Sequence, residues 1–275
     1  MSQLIDLSIP IELIKSDPNI LEKKNIEHSY GGNLIWKKIF FSKQVPFFQK
    51  IQNYLKYLKR RKTFNRHCFP DGLFLSNEFL TLSVHCGTHL DAPYHFGPKY
   101  EGNRALYINE IPIEWCYSNG VVLNLSYKDP CSIITKSDIQ KELNKIGYIL
   151  QPYDIVLIRT DSDCLWPEKD YFSSHPGMSR QATEWLVDQG IKVIGIDTNG
   201  FDLPFKTMIN NYMEDQNMDH LWPCHMLGRT KQYIHIEKLA NLKAIPKAFG
   251  FKVACFPISI KESGAAWIRA VAIID

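Results

Sequence analysis

The 275-residue sequence lacks three features, and each absence argues against a class of protein. Its longest apolar runs are too short to cross a bilayer, so we expect no transmembrane segment. Its first residues carry acids early and offer no small-residue cleavage site, unlike a signal peptide. Its seven cysteines include no Cys-x-x-Cys pair and no framework spacing, which favours free thiols over disulfides. These absences predict a cytoplasmic protein without a membrane partner.

Acidic residues are also absent between His28 and Pro70, a stretch rich in lysine and arginine. Aromatic residues, Trp36 among them, are mixed with these positive charges. The stretch is interpreted functionally as an anionic-ligand surface or a cap over an active site. Structurally, it is interpreted as a solvated helix with a packed aromatic face, or as a subunit contact. The net charge of only +3 and the lack of a recognition motif argue against a nucleic-acid partner.

Hydrophobic patterns predict more strands than helices. Short apolar runs typical of buried strands occur at Gly120–Leu125, Asp154–Arg159 and Lys192–Asp197. Helical spacing is present at Lys43–Lys62 and at Ser179–Gln189. Further expected elements are strands at Leu4–Ile11, Lys252–Phe256 and Ala266–Ile274, and a helix capped by Thr135 or Ser137. The pattern predicts a single α/β domain with a mixed sheet and covering helices.

The segment from His85 to His95 carries the strongest functional signal. It reads His-Cys-Gly-Thr-His-Leu-Asp-Ala-Pro-Tyr-His and holds three histidines and an aspartate. Imidazole and carboxylate groups are the usual ligands of a catalytic divalent metal such as zinc. The glycine, threonine and proline among them argue against a helix. In an extended chain His85, His89 and Asp91 share one side, so we expect them to converge on a metal.

A second group of ligands is expected further along the chain. His225 and Glu237 are the candidates, and His220 and His235 compete with them as ligands. The alternation from Ile234 to Glu237 leads us to expect Glu237 to point away from His235. Spacing alone does not choose among these histidines. No Gly-x-Ser-x-Gly elbow occurs, so a serine nucleophile is unsupported.

These motifs resemble the cyclase family of metal-dependent hydrolases, which includes kynurenine formamidase and isatin hydrolase. The family pattern His-x-Gly-Thr-His-x-Asp-x-Pro-x-His is matched at every fixed position from His85 to His95. The pattern of a histidine followed twelve residues later by a glutamate is matched by His225 and Glu237. The resemblance covers about three quarters of the chain. It also includes the segments Asp6–Pro10, His175–Ser179, Val193–Asp197, Phe256–Pro257 and Arg269–Ala272.

The resemblance implies a fold and a division of roles. The implied fold is one domain of the swivelling β/β/α type over residues 1–275, with Asn19 to Arg66 as a basic aromatic insertion. His85, His89 and Asp91 would bind one divalent ion. Asp91 would bridge to a second ion.

The implied ligands of that second ion are His225 and Glu237. Zn²⁺ is the expected ion and Mn²⁺ the alternative. His95 would act as general base and then acid, with a metal ligand or a supporting group as its alternative roles. Trp36 is the nearest candidate for a substrate contact. The partners expected are a small-molecule substrate and copies of the same chain in a homodimer or homotetramer.

Three functions are compatible with these residues. The first is hydrolysis of an amide, formamide or lactam C–N bond in a small aryl or cyclic substrate, by water that the metal activates. The second is a metal-dependent cyclase or dehydratase in natural-product biosynthesis, since the same groups could perform proton abstraction. The third is a non-catalytic binding protein on the same fold. The presence of all six site residues argues against the third.

Overall fold

The computed structural model describes residues 2–12, 14, 21–60 and 68–275 of the chain. Contacts divide the chain into two compact units, the first of Met1–Asn19 with Ser83–Asp275 and the second of Ile20–Leu82. The predicted insertion, Asn19 to Arg66, overlaps the second unit, and its residues 19–20 and 61–66 lie outside the described residues. Among the described helices, none has the length and apolar character needed to span a membrane.

The first unit contains most of the regular structure. The strands among the described residues are β1 (Gln3–Asp6), β2 (Leu21–Ile26), β3 (Asn77–Leu82), β4 (His89–Asp91), β5 (Lys99–Tyr100), β6 (Asn103–Arg104), β7 (Tyr117–Asn124), β8 (Ile133–Ile134), β9 (Ile155–Arg159), β10 (Gly177–Met178), β11 (Val193–Ile196), β12 (Ile234–Glu237), β13 (Phe249–Ala254), β14 (Ala265–Trp267) and β15 (Val271–Ile274). The helices are α1 (His28–Phe41), α2 (Phe47–Arg60), α3 (Pro93–Phe96), α4 (Lys136–Ile146), α5 (Arg180–Asp188), α6 (Phe205–Asp215) and α7 (Pro223–Leu227).

A mixed nine-stranded sheet forms the centre of the first unit, in the order β1-β15-β13-β7-β9-β11-β12-β4-β14. The strands β7, β9, β11 and β12 run parallel, and the outer strands pair antiparallel. Successive side chains of a strand face opposite sides, so a strand covered on both faces must be apolar throughout. In β9, Ile155 and Leu157 join one buried cluster, and Val156 and Ile158 join the other. The predicted mixed α/β fold is confirmed.

Helices α4 and α5 cover one face of this sheet. Ile139 and Leu143 of α4 and Leu186 of α5 lie in the same buried cluster as the even-numbered residues of β9. Thr135 is the N-cap of α4, accepting from the backbone N–H of Asp138 at 3.3 Å. The alternative cap, Ser137, lies inside the helix. Each helix therefore begins at a residue whose side-chain oxygen satisfies a free backbone N–H, as Ser179 does for α5.

The second unit consists of a two-stranded antiparallel sheet, β2 with β3, and helices α1 and α2. The helix predicted from Lys43 to Lys62 is observed as α2, which begins at Phe47. Arg61 and Lys62 lie outside the described residues. Helix α1 was not expected from the sequence.

Candidate metal centre

Two adjacent strands, β4 and β12, place four polar side chains on one face of the sheet. Their antiparallel register sets Asp91 opposite His235 and His89 opposite Glu237. The intervening residue Leu90 belongs to the apolar cluster on the opposite face. Glu237 and His235 therefore point to the same side, and the expectation that they diverge is wrong. Residues two apart on a strand share a face, and the Nε2 atom of His235 lies 3.6 Å from Oε1 of Glu237.

His85 reaches the same place from a turn. The sequence predicts an extended chain before His89, and this prediction is wrong. The segment turns because Gly87 adopts a left-handed φ of +61°. A Cβ at this position would also approach a side-chain carbon of Ile11 to 2.8 Å, so both conformation and space favour glycine. The turn brings His85 Nδ1 to 3.0 Å from Oδ1 of Asp91.

His95 follows on the short helix α3, whose first residue is Pro93. A proline fits this first helical position because its fixed φ suits a helix and its missing N–H needs no partner. The Nε2 atom of His95 lies 3.9 Å from Oδ2 of Asp91, and its side chain is one-third exposed. His95 is thus next to the buried carboxylate and also reachable from solvent.

His225 lies on helix α7 and is held by Asp202. The Nδ1–H of His225 donates to Oδ2 of Asp202 at 2.5 Å, and the backbone N–H of Cys224 donates to Oδ1 at 2.8 Å. With Nδ1 engaged, Nε2 is the ring nitrogen that faces Oε1 of Glu237, at 3.9 Å. A carboxylate that orients a histidine through its second nitrogen is typical of metal-binding histidines.

The result is a cluster of seven side chains, hereafter the site cluster, that includes all six residues predicted for the metals and the proton transfer. Its members are His85, His89, Asp91, His95, His225, His235 and Glu237. Donor atoms of Asp91, His225, His235 and Glu237 all lie within 4.8 Å of one another. The cluster is a candidate site for a divalent metal.

The donors of the cluster fit a cation. His89 is fully buried, and its Nδ1–H donates to the carbonyl of Gly87 at 2.9 Å. Its Nε2 has no hydrogen-bond partner among the described residues, although it lies 3.5 Å from Oε2 of Glu237. A buried nitrogen lone pair beside carboxylates is costly without a partner, and a divalent cation would supply one.

Electrostatics keep the two carboxylates ionised. Burial alone would raise the pKa of Asp91, but the neighbouring histidines, His89 and His95 first, hold it well below its usual range. Burial would likewise raise the pKa of Glu237, but His89, whose Nε2 lies 3.5 Å from Oε2, lowers it well below the ordinary value. Both groups therefore carry the negative charge that a cation requires.

His95 and His225 differ in proton affinity. Burial lowers the pKa of His95 from 6.5 to about 4, so its ring is neutral at pH 7 and can accept a proton. Burial would also lower the pKa of His225, but the hydrogen bond from its ring to Asp202 raises it to about 9. A cation on Nε2 would have to displace the proton of His225.

A cavity of about 230 Å³ opens over the site cluster. Phe205 and Trp222, whose ring centroids are 5.7 Å apart, contribute aromatic wall, and the buried His175 contributes a polar group. His220 does not join the cluster, because its Nε2 pairs with Asp215 at 3.0 Å. Trp36 lies in α1 of the second unit, and its role as a substrate contact stays a prediction.

Two members of the arrangement were not identified from the sequence. Asp202 is not among the candidates from the sequence, and its pairing with His225 joins residues 23 apart in the chain. From the sequence, His235 is one of two histidines that compete with His225 as ligands. Its signal was present, since it precedes Glu237 by two residues on a strand.

Comparison with known proteins agrees with this geometry. The model of the family described as "Putative cyclase" matches residues 5–203, and the chain belongs to this family. It is 29% identical over 197 residues to the kynurenine formamidase of Bacillus anthracis, which covers 70% of this chain and 77% of that protein. It is 25% identical over 205 residues to Cyclase-like protein 3 of Oryza sativa subsp. japonica, covering 74% of this chain and 67% of that protein.

Solved structures show the same fold. An isatin hydrolase bound to the product analogue thioisatinate is 25% identical, with a TM-score of 0.62, covering 75% of this chain and 78% of that chain. Isatin hydrolase A from Ralstonia solanacearum superimposes with a TM-score of 0.68 at 19% identity, covering 100% of this chain and 92% of that chain.

Proposed function

We propose that this protein is a metal-dependent hydrolase that cleaves the C–N bond of an amide, formamide or lactam in a small aryl or cyclic substrate. The observation that carries the proposal is the convergence of the five predicted ligands and His95 beneath one cavity. Relatives named kynurenine formamidase and isatin hydrolase support the choice of a C–N bond. The aromatic wall of Phe205 and Trp222 suits an aryl group.

The proposed cofactor is Zn²⁺, with Mn²⁺ as the alternative, in two positions. His85, His89 and Asp91 would hold one ion, and Asp91, His225 and Glu237 would hold the other. Asp91 suits the shared position because its two oxygens face different histidines, Oδ1 toward His85 and Oδ2 toward His95. When bound, such ions polarise a carbonyl and lower the pKa of water.

His95 would perform the proton transfers. Its neutral ring borders the cavity and could take a proton from the attacking water. The same ring could then donate that proton to the leaving nitrogen, which would otherwise depart as a poor leaving group. Asp91 and Glu237 would remain ionised throughout. Their negative charge would bind the cation, and they would take no part in the proton transfer.

A substrate panel tests the proposal. Metal-free protein would be titrated with Zn²⁺ or Mn²⁺ and incubated with aryl formamides, isatin-like lactams and lactones, with products identified by mass spectrometry. We expect metal-dependent gain of one water by a formamide or lactam. A metal-loaded protein that turns over only lactones, or that yields cyclised or dehydrated products, would contradict C–N hydrolysis. The His95→Ala protein serves as the control for trace contaminating hydrolase.

We further propose that the chain works as a homodimer or homotetramer in the cytoplasm. Four of the seven cysteines are buried, and their spacing offers no disulfide framework, which suits a reducing compartment. Light scattering of the purified protein would test the assembly, and a monomer at micromolar concentration would contradict it.

A further inference from the structure

His235 is a fully buried histidine to which the family pattern gives no role. It lies at the centre of β12, directly opposite Asp91 in register and two residues before Glu237. A histidine in the protein interior is costly to bury unless its ring meets a polar partner. Its flanking residues Ile234 and Ile236 face the apolar cluster on the other side of the sheet, so the ring of His235 projects into the site cluster.

The Nε2 atom of His235 lies between two carboxylates. It is 3.0 Å from Oδ2 of Asp91 and 3.6 Å from Oε1 of Glu237. On the far side of Glu237, Nε2 of His225 is 3.9 Å from the same Oε1. Tetrahedral zinc with bonds of about 2.0–2.2 Å keeps its donor atoms about 3.4 Å apart. The three observed separations bracket this value, and all four donor atoms lie within 4.8 Å of one another, so they can face a single cation.

Aromatic packing fixes the ring in this orientation. The His235 ring stacks on Phe201 with centroids 4.4 Å apart and planes 10° apart, and Phe96 lies at 4.9 Å. Its Nδ1 has no hydrogen-bond partner among the described residues. The packing therefore directs Nε2 of His235 toward the carboxylates. In His225 the hydrogen bond from Nδ1–H to Asp202 has the same effect.

A hydrogen bond to Asp91 alone accounts for less of this geometry. One N–H can serve the nearer carboxylate, but it leaves Glu237 facing Asp91 with like charge in a buried place. A cation between the four donors offsets the charge of both carboxylates and binds the Nε2 atoms of His225 and His235. The donor set, two imidazoles and two carboxylates, is one that zinc accepts.

We propose that Nε2 of His235 is a fourth donor to the ion that Asp91, His225 and Glu237 hold. This inference rests on the proposed metal-dependent function and deepens it. It makes the two positions unequal. The position of His85, His89 and Asp91 has three protein donors and leaves room for substrate or water, whereas the other is closed by protein, as in structural zinc sites.

Direct detection of the bond is the main test. Wild-type protein with nitrogen-15 labelled histidine would be loaded with cadmium-113, and one-bond nitrogen–cadmium coupling would be recorded by NMR. We expect coupling at Nε2 of His235, assigned by the loss of that signal in His235→Gln protein. Coupling at His85, His89 and His225 without coupling at His235 would overturn this inference and leave the proposed function intact. Absence of bound metal would overturn both.

Zinc affinity gives a second test that uses a matched pair of variants. His235→Gln should weaken the second zinc by more than about 100-fold, because loss of even a residue that only supports a ligand costs about 10- to 100-fold. His220→Gln is the control, since His220 pairs with Asp215 away from the site and should leave both affinities unchanged. Affinity would be measured by competition with a chromophoric chelator. Unchanged affinity in His235→Gln protein would overturn the proposal.

Discussion

His95 is the most exposed member of the site cluster, and its Nε2 lies 3.9 Å from Oδ2 of Asp91. We expect His95→Ala to retain bound metal and the thermal transition of the wild type. Its kcat should fall by roughly 100- to 10,000-fold, the usual cost of removing a general acid–base group. KM should change less, because the group acts mainly in the transition state. Steady-state kinetics on the accepted substrate and elemental analysis would be compared, and loss of metal alongside activity would recast His95 as a ligand.

Asp91 and Glu237 should differ in their effect on metal content. Asp91 contacts histidines on both sides through its two oxygens, so Asp91→Ala should abolish binding of both ions. Glu237→Ala should weaken mainly the second ion. Elemental analysis of the two purified variants checks this difference. Unchanged metal in the Asp91→Ala protein would show that the two-ion assignment is wrong.

The His225–Asp202 pair makes the metal-free protein sensitive to pH. The pKa of His225 is about 9 in the folded state and near 6.5 in the unfolded state, so the folded state binds more protons between these values. The pair therefore contributes full stability below pH 6.5 and loses it as pH rises toward about 9. Melting temperatures in chelator should fall across this window.

The Asp202→Asn variant isolates that contribution. An asparagine oxygen can still accept from Nδ1–H, but the charge that holds the imidazolium is gone. Its melting temperature should therefore fall less steeply over the same range of pH. Other histidines titrate in both proteins and cancel in the difference. Parallel curves for the two proteins would contradict the assignment.

At this scale the local motif was predictable and the long-range partners were not. His85, His89 and Asp91 stand within seven residues, so their chemistry is visible as a pattern. The pairing of Asp202 with His225 depends on how the loop after β11 meets α7, which no local pattern encodes. The side of the sheet to which His235 points was predictable, because residues two apart on a strand share a face. The prediction that His235 and Glu237 point to opposite sides ignored this rule.

Among the elements, α4 offers a test of its boundary. Thr135 accepts from the N–H of Asp138, and the Asp138 side chain accepts from the N–H of Thr135 at 2.8 Å. Such a reciprocal cap satisfies two free donors, so Thr135→Ala should lower the free energy of unfolding by about 1 kcal/mol. Ser137→Ala, at the second position of the helix, should change it much less. Urea denaturation would compare them, and an equal loss in both variants would contradict the cap.

Buried strands were predicted better than the helices near the start of the chain. The runs in β7, β9 and β11 are apolar on both faces because clusters pack against both sides of the sheet. Helix α1 contains Gly31 and Gly32, which disfavour helix by about 1 kcal/mol each, so local propensity did not indicate it. Similarly, α3 is only four residues long and lies inside the metal motif, whose glycine, threonine and proline argue against a helix.

Across the whole molecule, the order of the strands lies beyond local sequence. The strand β4 inserts between β12 and β14, which are separated from it by more than 140 residues of chain. This insertion is what sets Asp91 beside His235 and His89 beside Glu237. The class of fold follows from apolar runs, whereas the site depends on a register that only the assembled sheet defines.

Because β4 and β12 carry Asp91 and Glu237 into the interior, the stability of the first unit should depend on metal. Without a cation, the two buried carboxylates repel each other and only the neighbouring histidines offset their charge. An ion that binds only the folded state stabilises it by about 2.7 kcal/mol at a free concentration 100 times its Kd. Calorimetry should therefore show a lower melting temperature after chelation and recovery on adding Zn²⁺. Asp91→Ala protein should show no such recovery, and a chelator without effect on wild-type protein would contradict a buried metal centre.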